Sequence, residues 1–118
     1  MDIIDLKDAM ERVQDDKELL LELFDIFTED FTGKYAALQE AYRKGDCAAF
    51  QMISHGLKGA TGNISASRMH ANCIALDLMG KNCDVSGAGP AVNALGRQFD
   101  EFVAEAARIR KEFGQGGQ

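Results

Sequence analysis

Apolar residues recur along this chain at steps of three and four rather than two, a helical pattern from one end to the other. Within the first 14 residues, Ile4, Leu6, Ala9, Met10 and Val13 alternate with charges and predict a short N-terminal helix. Asp15 or Asp16 then caps a longer segment in which Leu19, Leu20, Leu23, Phe24 and Phe27 share a face. Thr32-Gly33 is expected to interrupt or kink this helix, while Phe31, Tyr35, Leu38 and Tyr42 carry the stripe onward. Gly45 ends it and Asp46 caps the next. From residue 46 to about residue 61, Phe50, Ile53, Leu57 and Ala60 mark a core face, and Gly62-Asn63 closes the helix. Ser65 is a good cap for a successor whose seam is Ala66, Met69, Cys73, Leu76 and Gly80. Residues 84–89 read as a loop, and Pro90 suits a first helical turn. Val92, Leu95, Phe99, Phe102, Ala106, Ile109 and Phe113 then form the last seam.

These elements predict an all-α fold, an antiparallel up-and-down four-helix bundle with an additional short N-terminal helix, because short connections force successive helices to run antiparallel. One domain should span residues 1–113, and the Gly-Gln-rich tail, residues 114–118, should be disordered. With 46% hydrophobic residues the chain can bury a core, which argues against disorder elsewhere.

Composition narrows the function classes. A chain of 118 residues has no room for a kinase core, and it carries no Gly-x-x-x-x-Gly-Lys-Ser/Thr loop, hydrolytic triad or carboxylate cluster for a metal. A formal net charge of −6 argues against nucleic acid or an anionic membrane as the main partner. No apolar run exceeds four residues, so neither a spanning helix nor a secretory signal is expected, and the expected compartment is the cytoplasm. Size and the Met1 start suit a free-standing module, and a monomer is expected. Cys47, Cys73 and Cys83, odd in number and irregularly spaced, read as reduced thiols. His70 and Cys73 stand three residues apart on one predicted helix, but no second pair completes a metal site; Cys73 reads as core and no metal is expected.

The chemistry concentrates at His55. At about 100° per residue, this imidazole points away from the face of Phe50, Ile53, Leu57 and Ala60, into solvent. Its helical neighbours are Gln51, Met52, Lys58, Gly59 and Gly62. Glycine inside a helix costs about 1 kcal/mol relative to alanine, so Gly56 and Gly59 read as ground cleared for an approaching protein surface. The competing explanations are that Gly56 admits a neighbouring helix and that Gly62 is only a cap. Gln51, Met52, Gly59 and Gly62 form the candidate docking and access patch. Lys58, one turn beyond His55, would disfavour protonation of the ring and stabilise negative charge placed on it. Antiparallel pairing across the turn near residues 63–66 brings Asp77 level with His55, on a stripe with His70, Ile74 and Lys81.

The run His55-Gly56-Leu57-Lys58-Gly59-Ala60-Thr61-Gly62-Asn63-Ile64-Ser65-Ala66 resembles the signature of histidine-containing phosphotransfer domains, in which His-x-Leu-Lys-Gly precedes small residues, an aliphatic and then Ala. Ser65 stands where Gly is more usual in that family, and Gly56 is unusual just after the histidine. The resemblance implies that His55 accepts a phosphoryl group on Nε2 and exchanges it with the aspartate of a response-regulator receiver domain, in a phosphorelay that also involves a histidine kinase or hybrid kinase. It implies no cofactor of the chain's own, the divalent metal coming from the receiver. Asp77 matches the place of a polar residue that holds the imidazole Nδ1–H, and Lys81 is a possible phosphate contact. The alternative is a helical adaptor or dimerisation bundle that binds protein without chemistry.

Overall fold

The computed structural model describes residues 1–114. Five helices follow one another: α1 (Leu6–Arg12), α2 (Lys17–Lys44), α3 (Cys47–Asn63), α4 (Ser67–Lys81) and α5 (Gly89–Glu112). Among the described residues there is no strand. Helices α2 to α5 form the bundle: each packs on the next, and α5 closes the ring on α2. The all-α up-and-down architecture is the expected one. Of the tail expected to be disordered, residues 114–118, Gly114 forms a turn and residues 115–118 lie outside the described residues. Among the described residues no helix is long and apolar enough to cross a membrane.

Local chemistry sets the helix ends. Asp5, Asp16 and Asp46 each accept a hydrogen bond from a first-turn amide, of Asp8, Leu19 and Ala49 respectively. Gly45 adopts φ +67°, a left-handed conformation that costs a residue without Cβ little, and ends α2. Pro90 lies in the first turn of α5.

Three expectations are corrected here. Helix α2 runs through Thr32-Gly33 without a break. Gly33 is exposed, and its local cost is outweighed by the aromatic residues on the opposite, buried side of the helix: Phe31 stacks on Phe99 with centroids 4.1 Å apart, and Phe27 meets Phe102 edge-on at 5.2 Å. Near the start of α2, Leu21 is buried and Leu19 is 38% exposed, so the core face there is turned from the one the pattern suggested. Ser65 does not cap α4; the capping position is Ala66, which makes no side-chain cap bond. Ser65 instead adopts φ +56° and donates its hydroxyl to Asp8 Oδ2 at 2.6 Å, while its carbonyl accepts from Asp5 N–H at 2.9 Å. The left-handed backbone accounts for the glycine that is usual at this place, and the two bonds tie α1 across the end of the bundle where α3 turns into α4.

The cysteines give a fourth correction. Cys47 and Cys83 form a disulfide, with Cα atoms 5.1 Å apart, and only Cys73 is a free thiol. A separation of 36 residues looks irregular along the chain. In the antiparallel pair it joins the start of α3 to the residues just after α4. Cys73 is fully buried, and burial pushes its thiol up to about 12, with a hydrogen bond to Thr61 opposing the shift.

Candidate functional site

Which way His55 leans is decided by the other face of α3. The buried residues of this helix are Phe50, Ser54, Leu57 and Thr61, whereas Ile53 and Ala60 are only partly buried. Two polar residues therefore turn the core direction, and His55 lies about 130° from it rather than opposite, on the side facing α4. Thr61 satisfies its hydroxyl by donating to the Leu57 carbonyl at 2.8 Å, which lets it occupy a core position. Ser54 Oγ has no partner among the described residues.

The His55 side chain is 61% exposed, and its Nδ1 lies 3.6 Å from Oδ1 of Asp77, whose side chain is 3% exposed. That separation is ion-pair range and a few tenths of an ångström too long for a hydrogen bond. Asp77 is level with His55, as expected, and it already has three other partners. Lys58 Nζ reaches Oδ2 at 2.7 Å, Lys81 Nζ reaches the same oxygen at 3.3 Å, and Gln51 Nε2 donates to Oδ1 at 3.0 Å. Burial opposes the Asp77 charge, yet the hydrogen bonds from Lys58, then Gln51 and Lys81, together with the Lys58 charge, outweigh it and hold the carboxyl well below the usual carboxylate range. A carboxylate oxygen only accepts, so a proton on Nδ1 is the one this oxygen could receive from the ring.

The docking patch divides. Met52 is 69% exposed, and Gly56 and Gly59 have no neighbour where a Cβ would stand, so the ground beside His55 is bare and no helix approaches Gly56. Gln51 is half-buried, and its amide is bound to Asp77. Gly62 lines a depression on the α4 side, and a Cβ there would meet the His70 ring at 3.0 Å. That ring, to which sequence assigned no role, places Nδ1 2.9 Å from the Lys58 carbonyl and 3.2 Å from Thr61 Oγ1, bracing the turn that carries Lys58. The carbonyl can only accept, so this nitrogen donates. His70 and Cys73 thus serve packing, and no group of three or more His, Cys, Asp or Glu able to hold a metal occurs among the described residues.

Gly80 was legible only as part of a seam. A Cβ at this position would stand 2.6 Å from the Gln51 Cα, so α3 and α4 approach closely one turn from the His55 and Asp77 pair. Two shallow depressions flank His55. One, between α2 and α3, is lined by Lys34, Met52, Ile53 and Gly56; the other, toward α4 and α1, includes Arg12, Lys58, Gly59, His70 and Ile74.

The fold is that of histidine-containing phosphotransfer domains. The chain is similar to the HPT domain of an Hpt sensor hybrid histidine kinase from Shewanella, at 14% identity and a TM-score of 0.81, over 93% of this chain and 95% of that one. It is also similar to histidine-containing phosphotransfer protein B of Pseudomonas aeruginosa PAO1, at 21% identity and a TM-score of 0.82, over 93% of this chain and 96% of that one. No family model matches the sequence, and no curated protein matches it significantly.

Proposed function

We propose that this protein is a phosphoryl carrier of a two-component phosphorelay, in which His55 exchanges a phosphoryl group with the aspartate of a receiver domain. The observation that carries the reading is an exposed imidazole whose Nδ1 faces a buried carboxylate, with two ammonium groups on that carboxylate's other oxygen. In the forward direction the Nε2 lone pair attacks the phosphorus of the receiver's aspartyl phosphate. The N–P bond forms as the P–O bond to the aspartate breaks, and the carboxylate leaves with the electron pair. Asp77 stabilises the positive charge that develops on the ring through Nδ1–H, and Lys58 supports the transferring oxygens. Positioning and charge stabilisation supply most of the catalysis in such transfers, so the chain needs no nucleotide site, and the receiver brings the divalent metal.

The partners that follow are a receiver domain and a histidine kinase or hybrid kinase, met by a monomer. Bare Gly56 and Gly59 beside exposed Met52 suit such an approach. The reading carries a cytoplasmic location, against which the Cys47–Cys83 bond stands as the contrary observation, because reducing compartments disfavour disulfides. Incubation with a receiver and acetyl phosphate should give acid-labile, base-stable phosphate on the wild type and none on His55→Gln or His55→Ala, with circular dichroism unchanged. Lys58→Ala should retain labelling at a reduced rate. Labelling of His55→Ala would remove the assignment, and a wild-type chain that no receiver labels would be a docking bundle without chemistry.

A further inference from the structure

We propose that Gln51 is a positioning residue for the His55 imidazole, acting through Asp77; the proposal deepens the phosphotransfer reading and rests on it for its kinetic arm alone. The two oxygens of Asp77 are divided between different partners. Both lysines lie on Oδ2, at 2.7 Å and 3.3 Å, while Oδ1, the oxygen that faces His55 Nδ1, is held at 3.0 Å by the Gln51 amide. Lysine is a flexible point charge, and the carboxylate's facing angle would be poorly fixed by two of them on one oxygen. The amide supplies the second anchor. It presents its NH2 side, since a carboxylate cannot donate.

Helix geometry places this anchor where it must be. Gln51 is four residues before His55 and Lys58 three after, so one side of α3 presents donor, imidazole and ammonium in three successive turns. Asp77 and Lys81 repeat that spacing on α4. The side chain of Gln51 reaches Asp77 because the backbones meet nearby, with Gly80 against the Gln51 Cα. A residue serving only to glue two helices could bond any polar group across the interface. Gln51 instead occupies the oxygen that faces the imidazole.

The test uses the full chain with 15N-labelled histidine, reading the His55 tautomer from its two ring-nitrogen shifts and, separately, the rate of phosphoryl acceptance from a receiver. Gln51→Met keeps the length and removes the donor. It should lower the share of the Nδ1–H tautomer and slow acceptance about three- to tenfold, the range expected for losing one ordinary hydrogen bond, because Gln51 acts on the ring only through Asp77. In an Asp77→Ala background the same change should do nothing further, because a residue acting through Asp77 has nothing left to position. Gln51→Arg, which restores a planar N–H donor, should recover the tautomer. An unchanged tautomer in Gln51→Met, a loss that arginine does not restore, or an equal loss without Asp77 would each overturn the proposal. The tautomer needs no phosphoryl donor, so a chain that no receiver labels would refute the function while the nitrogen shifts still decide the role of Gln51.

Discussion

Replacing Asp77 by asparagine keeps its size and removes its charge, and the consequence for stability can be worked from the site. The carboxylate is 3% exposed and accepts bonds from Lys58, Gln51 and Lys81. Breaking a fully buried ion pair from one side costs about 3–5 kcal/mol, because the remaining charge is stranded. Here the lysine side chains are 28% and 52% exposed and can return to water. The cost near neutral pH should therefore be about 1.5–3 kcal/mol, the range for losing hydrogen bonds to a charged group. The sign of the pH dependence follows from the depressed carboxyl. Between its folded value and the ordinary 3.8, the unfolded chain binds a proton that the folded chain does not. The stabilisation is thus full above about pH 5 and is lost as the pH falls toward the folded value. Urea denaturation of wild type and Asp77→Asn near neutral pH and again at about pH 3 measures both terms, with a midpoint shift of about 1 M expected at the higher pH. A deficit that is absent near neutrality, or equal at the two values, would refute this account of the site.

Gly80→Ala should destabilise by about 1–3 kcal/mol, since its Cβ would sit 2.6 Å from a backbone atom, whereas Gly56→Ala, facing open space, should stabilise by about 0.5–1 kcal/mol. Thermal melts of the pair compare them directly, and similar shifts for both would refute the close approach. Cys47→Ser should cost about 2–4 kcal/mol under oxidising conditions, as expected for opening a bridge across 36 residues, and nothing under reducing conditions. Denaturation with and without reductant measures it, and native alkylation should leave Cys73 unlabelled.

The exposure of His55 and the level of Asp77 were legible because both follow from helical geometry and a short turn, and neither depends on how side chains pack. The direction in which His55 leans was not. A pattern reading weighs side chains by polarity and assigns Ile53 and Ala60 to the core, whereas Thr61 enters it by returning its hydroxyl to the Leu57 carbonyl. The same limit hid Gln51, which looks like any surface residue until a buried carboxylate lies within its reach. Ser65 looked like a cap because its side chain suits one, but its backbone is left-handed and its hydroxyl is spent on Asp8. Gly33 looked like a break because its cost is local while the aromatic packing that outweighs it comes from α5. Cys47 and Cys83 could be paired only after α3 and α4 were laid antiparallel.

The charges around His55 differ in mobility as well as sign, and that difference bears on the proposed transfer. The chain as a whole carries −6, yet Asp77, Lys58 and Lys81 together leave one net positive charge beside the imidazole. A phosphoryl group on Nε2 adds about two negative charges. The buried anion behind the ring is held from both oxygens and stays in place, where it can support charge on the ring. Lys58 and Lys81 sit on long stems that reach solvent, so either can move from Asp77 toward the new phosphate. As one lysine leaves Oδ2, the other still faces that oxygen and Gln51 still holds Oδ1, so the carboxylate need not become an uncompensated buried charge. A site with one lysine and no amide could not lend its cation to the phosphate without stranding the aspartate.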